Sequence, residues 1–252
     1  GAAIATLIAQ AVSAVLVTVT LMYRTEGMKL CLSQIRMYKR MLQSILKIGL
    51  PAGFEAIMYS ISNIIVQVSI NNFGVDTMAA WTAYSKIDFI FWMINSAFGI
   101  SVMTFVGQNY GAGKWDRIRR GTKICLGMAL ISAVSVSIIL MSAERFLFGI
   151  FVNDAGVVEI GIRMMNVIAP AYLLFAFIEV FSGALRAQGA VVVSTLITMV
   201  GICVLRMIWV TLVAAHGTLE QVIICYPITW AAGALAMSIY YIYKQRKIFQ
   251  AR

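Results

Sequence analysis

Long apolar runs, closed by polar or turn-forming residues, divide this chain into seven segments of membrane-spanning length. The segments cover about residues 1 to 23, 46 to 71, 77 to 106, 122 to 143, 157 to 185, 189 to 215 and 219 to 243. A helix needs about 20 apolar residues to cross the hydrocarbon core of a bilayer. Gly, Asn and Asp, which favour turns, are frequent between the runs. The pattern therefore predicts an all-α fold, a polytopic membrane helix bundle of about seven spans.

The composition supports the same fold class. Hydrophobic residues make up 61% of the 252 residues and charged residues 12%, whereas soluble domains carry about 25% charged residues. A cytosolic enzyme is thereby excluded. The four cysteines are widely spaced without a Cys-x-x-Cys pair, and there is one histidine. Neither a disulfide framework nor a bound metal is indicated.

The basic residues are distributed unevenly among the loops. Sixteen of the twenty Lys and Arg residues fall in one set of alternate loops and in the C-terminal tail. Cytoplasmic loops are enriched in Lys and Arg. The asymmetry predicts a multi-pass protein of the cell membrane, plasma or inner, whose C-terminus is cytoplasmic.

The spans suggest a division into four parts. Residues 1–23 form one span, 24–45 a basic cytoplasmic linker, 46–243 a six-helix lobe and 244–252 a cytoplasmic tail. Apolar residues recur at helical spacing from Ser33 to Lys47, which predicts an amphipathic helix on the membrane surface; a solvated basic connector is the alternative. The chain begins at Gly1 rather than at methionine, and we expect it to be a C-terminal part of a longer protein.

Five ionisable residues lie inside predicted spans: Glu55, Lys86, Asp88, Glu179 and Arg206. Charges in hydrocarbon are costly, so each is a candidate for an ion or substrate pathway. The three acids are candidates for ion coupling or substrate binding, although structural ion pairs would explain them equally well. The two cations are expected to form supporting ion pairs with acids elsewhere.

Polar and aromatic side chains share faces of three predicted helices at 100° per residue. In the second span one broad face carries polar side chains and the opposite face, which is expected to face lipid, carries apolar ones: Glu55, Tyr59, Ser62, Asn63 and Gln67 against Ile57, Ile61, Ile64 and Val68. These faces could line a cavity suited to bulky cations, through charge and cation–π contacts. Packing between helices is the alternative role for any single ring. The cavity-lining candidates are Tyr59, Asn63 and Gln67 in the second span, Trp81, Tyr84 and Asn95 in the third, and Tyr172 and Phe175 in the fifth.

Several motifs occur together in order along nearly the whole chain. They are Gly49-Leu50-Pro51-Ala52-Gly53, Lys86-Ile87-Asp88, Gly107-Gln108-Asn109-Tyr110-Gly111-Ala112-Gly113, Ser182-Gly183-Ala184-Leu185-Arg186, and Arg206 in the following span. This ordered set resembles the multidrug and toxic compound extrusion (MATE) family. The resemblance implies two six-helix lobes flanking a central cavity. This chain would then comprise the last helix of the first lobe, the linker and the complete second lobe, with the missing N-terminal lobe as its partner.

The resemblance further implies export of cationic or amphipathic organic compounds in exchange for sodium ions or protons. No cofactor is implied beyond that coupling ion. By motif position, Asp88 corresponds to the acid of the Lys-Ile-acid element, and Glu179 to the acid ahead of the Ser-Gly-Ala-Leu-Arg element. Glu55 stands where many relatives carry glutamine. Ala187-Gln188-Gly189 departs from the usual Gly-x-Gly, which should affect a turn more than transport.

Other function classes fit the sequence less well. A lipid-linked oligosaccharide or polysaccharide flippase of related architecture would favour a strongly basic cavity, yet the spans contain three acids and two bases. An intramembrane enzyme would require a nucleophile, a metal cluster or an acid paired with histidine inside the bilayer. A receptor or a structural membrane protein would leave the five ionisable residues of the spans without a role.

Overall fold

The structure, a computed structural model, describes residues 2–23, 30–31, 33, 35–213 and 217–250. Among these residues every regular element is helical. Seven helices of the described chain are long and apolar enough to cross a membrane. The predicted all-α membrane bundle with about seven spans is thereby confirmed. The chain divides into two compact units, Gly1–Lys47 and Ile48–Arg252.

The first unit contains helix α1, Ala2–Tyr23. Its apolar side chains are exposed on every side, as Leu7, Ile8 and Leu16 illustrate. A helix that is apolar all round requires lipid or other helices as its surroundings. The role predicted for residues 1–23, the last helix of a first lobe, stays a prediction.

The predicted surface helix over Ser33 to Lys47 is wrong at its start and at its end. Residues 35–38 have no regular structure, and a helix, α2, begins at Lys39 and continues to Asn71. No helix-breaking residue separates Ile45 from the second span, so the helix is not interrupted there. Pro51 lies inside α2, where membrane helices tolerate proline.

Five further spans follow α2 in the second unit. Helix α3 is Val75–Gly111 and α4 is Trp115–Ser142, followed by the short helix α5, Glu144–Phe151. Both long helices exceed the predicted spans, because polar residues at their ends remain helical. The last helix continues through Gln250, so most of the predicted tail is helical too.

The last three spans are interrupted helices. The fifth comprises α6, Ala155–Ile168, and α7, Tyr172–Ala187, joined by a 3-10 turn. Pro170 in that turn lacks the N–H that a continuous α-helix would use. The sixth comprises α8, Val191–Thr198, and α9, Leu205–Ile208, each followed by a π-helical turn. The seventh comprises α10, Leu219–Ile223, and α11, Cys225–Gln250.

The centre of the second unit is built on α3 and α7, which pack against each other and against α4. The two helices approach closely at two glycines: a Cβ built on Gly183 would lie 2.8 Å from the carbonyl oxygen of Gly99. Small residues allow such close packing of membrane helices. The predicted faces of α2 agree with its exposure, since Ile57, Ile64 and Val68 are exposed and Ser62 is buried.

The turn after α7 depends on one glycine. Gly189 has a φ of +79°, a conformation that side chains other than glycine rarely adopt. Its N–H bonds the Arg186 carbonyl. The turn therefore forms although Ala187 replaces the first glycine of the family pattern.

Candidate functional site

A cavity of about 380 Å³, which we call the aromatic cavity, lies among α2, α3, α6, α9 and α11. Six of its side chains were expected from the sequence, including Asp88. The lining residues are Tyr59, Asn63, Gln67, Trp81, Tyr84, Ser85, Asp88, Phe89, Trp92, Ile168, Arg206, Tyr226 and Trp230. The structure thus brings together the polar face of the second span and the aromatic face of the third.

Asp88 is held by hydrogen bonds on both carboxylate oxygens. Tyr172 of α7 donates its hydroxyl to Oδ1. Trp92, one turn along α3, donates its indole N–H to Oδ2 at 2.5 Å. The hydroxyls of Tyr84 and Tyr172 lie 3.1 Å apart, and since Tyr172 donates to Asp88, Tyr84 donates to Tyr172. Asp88 is therefore a satisfied acceptor at one wall of the cavity.

Tyr172 and Phe175 lie behind the cavity wall rather than in it. The ring of Tyr172 stacks on Phe91 with centroids 3.9 Å apart. Phe175 meets Trp92 edge to face at 4.7 Å. Aromatic pairs in these geometries stabilise packing beyond the area they bury. The two residues predicted to line the cavity thus fix the positions of Asp88 and Trp92 instead.

Arg206 is fully buried and lines the aromatic cavity. Its guanidinium lies 4.3 Å from the centre of the Tyr226 ring and 5.7 Å from that of Tyr59. Nη1 donates to the side-chain oxygen of Asn63 at 3.1 Å. No carboxylate of the described chain lies within 4.0 Å of it. The expected ion pair of Arg206 is replaced by aromatic rings and one amide.

The two remaining predicted residues of α3 lie elsewhere. Lys86 is exposed, and within the described residues no acid lies at ion-pair distance from it. Its neighbour Ile87 is buried, whereas Lys86 itself does not line the aromatic cavity. Asn95 is buried but does not line the aromatic cavity. Neither residue joins the site.

A second group of polar side chains, the acid cluster, consists of Glu55, Glu179, Arg186 and Thr195. Arg186 Nη2 bonds both carboxylate oxygens of Glu55 at 2.7 Å. Thr195 donates its hydroxyl to Glu55 at 3.0 Å. Glu55, predicted as a coupling acid, is therefore an ion-pair partner that connects α2 to α7 and α8.

Glu179 lies in the same cluster without a hydrogen bond or ion pair from the described part of the chain. It is half-buried and lines a cavity of about 310 Å³ together with Glu55, Gly99 and Arg186. Its carboxylate lies against Gly99 of α3, where any larger side chain would collide with it. Glu179 is thus an intramembrane carboxylate whose oxygens remain available.

Residues of these sites that were not among the candidates include Tyr226, Trp230, Arg186 and Thr195. Arg186 was interpreted as a topology signal and as the end of the Ser-Gly-Ala-Leu-Arg motif, and its bonds to Glu55 were not expected. Tyr226 and Trp230 are one helical turn apart in the last span, a spacing that could have marked an aromatic face. Thr195 carried no signal, because a lone threonine in a membrane helix is common. No group of three His, Cys, Asp or Glu residues in the described chain could hold a metal ion.

Comparison with known proteins places this arrangement in a family. The MatE family model matches residues 51–212, which is more than half of the chain. The chain belongs to the MatE family. The resemblance found in the sequence motifs is thereby confirmed, and this MatE chain is expected to share the general architecture of its relatives.

Curated relatives include two bacterial proteins with multidrug names. The chain is 25% identical over 219 residues to the probable multidrug resistance protein YoeA of Bacillus subtilis. It is 23% identical over 228 residues to the multidrug export protein MepA of Staphylococcus saprophyticus. The matches cover 85% of this chain in both cases, but 47% of YoeA and 50% of MepA. The MatE chain thus spans about half the length of these relatives.

Solved structures show the same fold. A crystal structure of MATE in complex with MaL6 matches with a TM-score of 0.90 at 16% identity, over 99% of this chain and 57% of that one. An outward-facing multidrug resistance MATE family transporter matches with a TM-score of 0.89 at 18% identity, with the same coverage. At these identities the likeness establishes the fold alone.

Proposed function

We propose that this MatE chain is part of a secondary active antiporter that exports cationic or amphipathic organic compounds in exchange for sodium ions or protons. The observation that carries the proposal is Glu179, a half-buried carboxylate that lines a cavity without a partner among the described residues. An unpaired acid in a membrane helix is costly, and the acids that do occur there often mark ion or substrate pathways. The multidrug names of the relatives support an organic cargo.

Glu179 is the better candidate for the coupling ion. Its free oxygens could bind a proton or a sodium ion, because hard cations take oxygen ligands. Asp88, by contrast, already accepts two hydrogen bonds and lies among aromatic rings that can stack on a flat cargo. If ion and cargo each weaken the binding of the other, inward ion flow drives outward cargo flow by reciprocal coupling.

The whole transporter would need a second lobe. Related folds alternate access by rocking two halves around a site at the membrane midplane. We propose that residues 46–243 are the second lobe and 1–23 the last helix of the first. The distribution of Lys and Arg supports a cytoplasmic C-terminus and an inner or plasma membrane location.

The flippase alternative is not favoured, because the curated relatives described above carry multidrug names. An enzymatic role finds no support either, since MatE proteins are transporters as a family. Transport is therefore the activity to test.

The test is an efflux assay in cells that lack their own multidrug pumps. The chain would be co-expressed with a first lobe, and ethidium accumulation followed under a sodium or a proton gradient. We expect efflux from the pair and none from the chain alone, because the central cavity would lie between lobes. Full efflux by the chain alone would contradict the two-lobe assignment.

Variants of the two acids test the mechanism. Asp88→Asn should abolish efflux, and Glu179→Gln should abolish it or change its ion dependence, while both proteins remain folded in the membrane. Glu159→Gln is the matched control, because Glu159 is an exposed acid outside both cavities. Normal efflux by Asp88→Asn and Glu179→Gln under both gradients would refute the proposed roles.

A further inference from the structure

Three cations meet at the end of the second unit where α4 begins and α11 ends. They line a cavity of about 260 Å³, which we call the helix-end cavity. Its lining consists of Arg119 and Lys123 of α4 and of Tyr241, Ile242, Gln245 and Arg246 of α11. None of these described lining residues is acidic. The cavity is separate from the aromatic cavity and from the acid cluster, with which it shares no lining residue.

The positive charges of the helix-end cavity are not balanced by its own residues. Arg119 and Lys123 are four residues apart on α4, so their charges lie on one face of the helix and repel each other. Within the described part of the chain, no carboxylate lies within 4.0 Å of Lys123 or Arg246. Cations that share a cavity raise its energy, and a bound anion would lower it. The charge distribution therefore favours an anionic ligand.

A buried hydroxyl at the same cavity lacks a hydrogen-bond partner. Tyr241 is 7% exposed, and its hydroxyl oxygen has no partner among the described residues. The neighbouring Thr122 donates its own hydroxyl to the Ile118 carbonyl of α4. The ring of Tyr241 stacks on Phe181 of α7 with centroids 4.5 Å apart, which fixes its position. Because buried hydroxyls are normally hydrogen-bonded, an anion between the cations would supply the missing acceptor.

The α11 side of the cavity is held in place by the turn that follows α7. Gln245 donates its side-chain amide to the side-chain oxygen of Gln188 at 3.0 Å. Lys244 donates to the backbone carbonyl of Gln188 at 3.0 Å. Side chains that are already fixed lose less conformational entropy when they bind a ligand. This wall of the cavity is therefore preorganised.

The surroundings of the cavity favour a lipid as the source of the anion. Ile242 lies in its lining, and Ile239 and Leu235 follow on the same face of α11, further into the span. All three side chains are exposed, so they form an apolar track that suits an acyl chain. Tyr240 and Tyr243 pair beside the cavity with centroids 6.4 Å apart. Tyrosine is enriched at the level of the lipid headgroups.

We propose that the helix-end cavity binds the phosphate group of an anionic phospholipid, whose acyl chain lies along the exposed apolar track of α11. Arg119, Lys123 and Arg246 supply positive charge, and Tyr241 donates a hydrogen bond. Basic pockets between membrane helices hold phospholipid headgroups in this way, through charge-assisted hydrogen bonds. A bound lipid would connect the ends of α4 and α11, which both pack against α7. The inference goes beyond the proposed function and does not depend on it.

The test compares two lipids that differ in headgroup charge. Binding of dioleoyl phosphatidylglycerol and of dioleoyl phosphatidylcholine to the 252-residue chain in detergent is measured by native mass spectrometry. We expect the anionic lipid to bind roughly tenfold more tightly, because several basic residues contribute. Lys123→Gln and Arg246→Gln should each weaken it about fivefold and leave phosphatidylcholine unchanged. Tyr241→Phe keeps the ring on Phe181 and should weaken it about threefold, the effect of one hydrogen bond.

Lys247→Gln is the matched control. Lys247 is an exposed lysine at the same end of α11, but it does not line the helix-end cavity. Its replacement should change the affinity for phosphatidylglycerol by less than about twofold, because solvent screens exposed charges. Helicity and the thermal midpoint verify the folding of every variant. Equal weakening by Lys247→Gln and Arg246→Gln would overturn the inference, since it would indicate diffuse attraction to a basic surface.

A water-soluble competitor distinguishes the lipid from a free phosphate compound. Glycerophosphoglycerol carries the same phosphate group without acyl chains, and at equal concentration it should not displace phosphatidylglycerol. Displacement at that concentration would overturn the assignment to a lipid, and equal binding of both lipids by the wild-type chain would overturn the anion site itself. Because these measurements report binding without transport, a chain that shows no efflux can still show the lipid preference. The proposed function and this inference are thus tested separately.

Discussion

The ion pair between Glu55 and Arg186 offers a quantitative test of how α2 is attached to the rest of its lobe. The two side chains are 14% and 29% exposed, and one guanidinium nitrogen bonds both carboxylate oxygens at 2.7 Å. Thr195 adds a third hydrogen bond from α8. Removing either charge leaves the other partly buried without its counter-charge.

The magnitude lies between two limits. Breaking a fully buried pair costs about 3–5 kcal/mol, and exposed pairs contribute about 0.2–1 kcal/mol. Because Arg186 is partly exposed, solvent screens the charges and lowers the coupling energy. We therefore expect about 2 kcal/mol for this pair. Because Glu55 lies in α2 and Arg186 in α7, this coupling energy stabilises the packing of one helix against the other.

A double-mutant cycle measures this coupling energy. Glu55→Gln, Arg186→Gln and the double variant are unfolded with SDS in bicelles, and helicity reports the free energy of unfolding. The matched control is the same cycle on Arg145 and Glu159, whose side chains are 77% and 46% exposed at 3.3 Å. That exposed pair should couple by less than about 0.5 kcal/mol. Equal coupling in both cycles would refute the reasoning from burial.

Three further predictions follow from the structure. Gly183→Ala should destabilise the lobe by about 1–3 kcal/mol through overpacking, measured by the same SDS unfolding, whereas Gly127→Ala, with open space around it, should not. Lys86→Ala should leave stability unchanged, because no acid of the described chain pairs with it; a loss above about 1 kcal/mol would contradict this. Cysteine labelling should reach Asn72 from outside, and Lys114 only after permeabilisation; the reverse accessibility would contradict the topology.

The spans were predictable because lipid imposes a simple rule. Every backbone polar group in hydrocarbon must be satisfied within the segment, so long apolar runs fold as helices. Helical periodicity also predicted which side of α2 is exposed, as the exposed Ile57 and Ile64 and the buried Ser62 show. The position of a span and its exposed side depend on residues close together in the sequence, so the sequence alone predicts them.

Pairings between helices were not predictable. Tyr172 and Asp88 are far apart in the sequence, and so are Arg186 and Glu55. Which helix faces which depends on packing that one sequence does not reveal. For the same reason Arg206 was expected to meet an acid but meets rings and an amide. A cation in a membrane helix predicts that some group must compensate its charge. It does not predict which group does so.

The carboxylates of Asp88 and Glu179 each contact both α3 and α7, and this determines how the two sites could influence each other. Asp88 of α3 is bonded to Tyr172 of α7, and Glu179 of α7 lies against Gly99 of α3. One turn beyond Glu179, Gly183 packs against the α3 backbone with no room for a methyl group. A movement of α7 along α3 would therefore alter both carboxylate sites at once. Coupling between distant sites requires such a shared element with two arrangements. If α3 and α7 provide it, Gly183→Ala should change efflux more than its effect on stability explains.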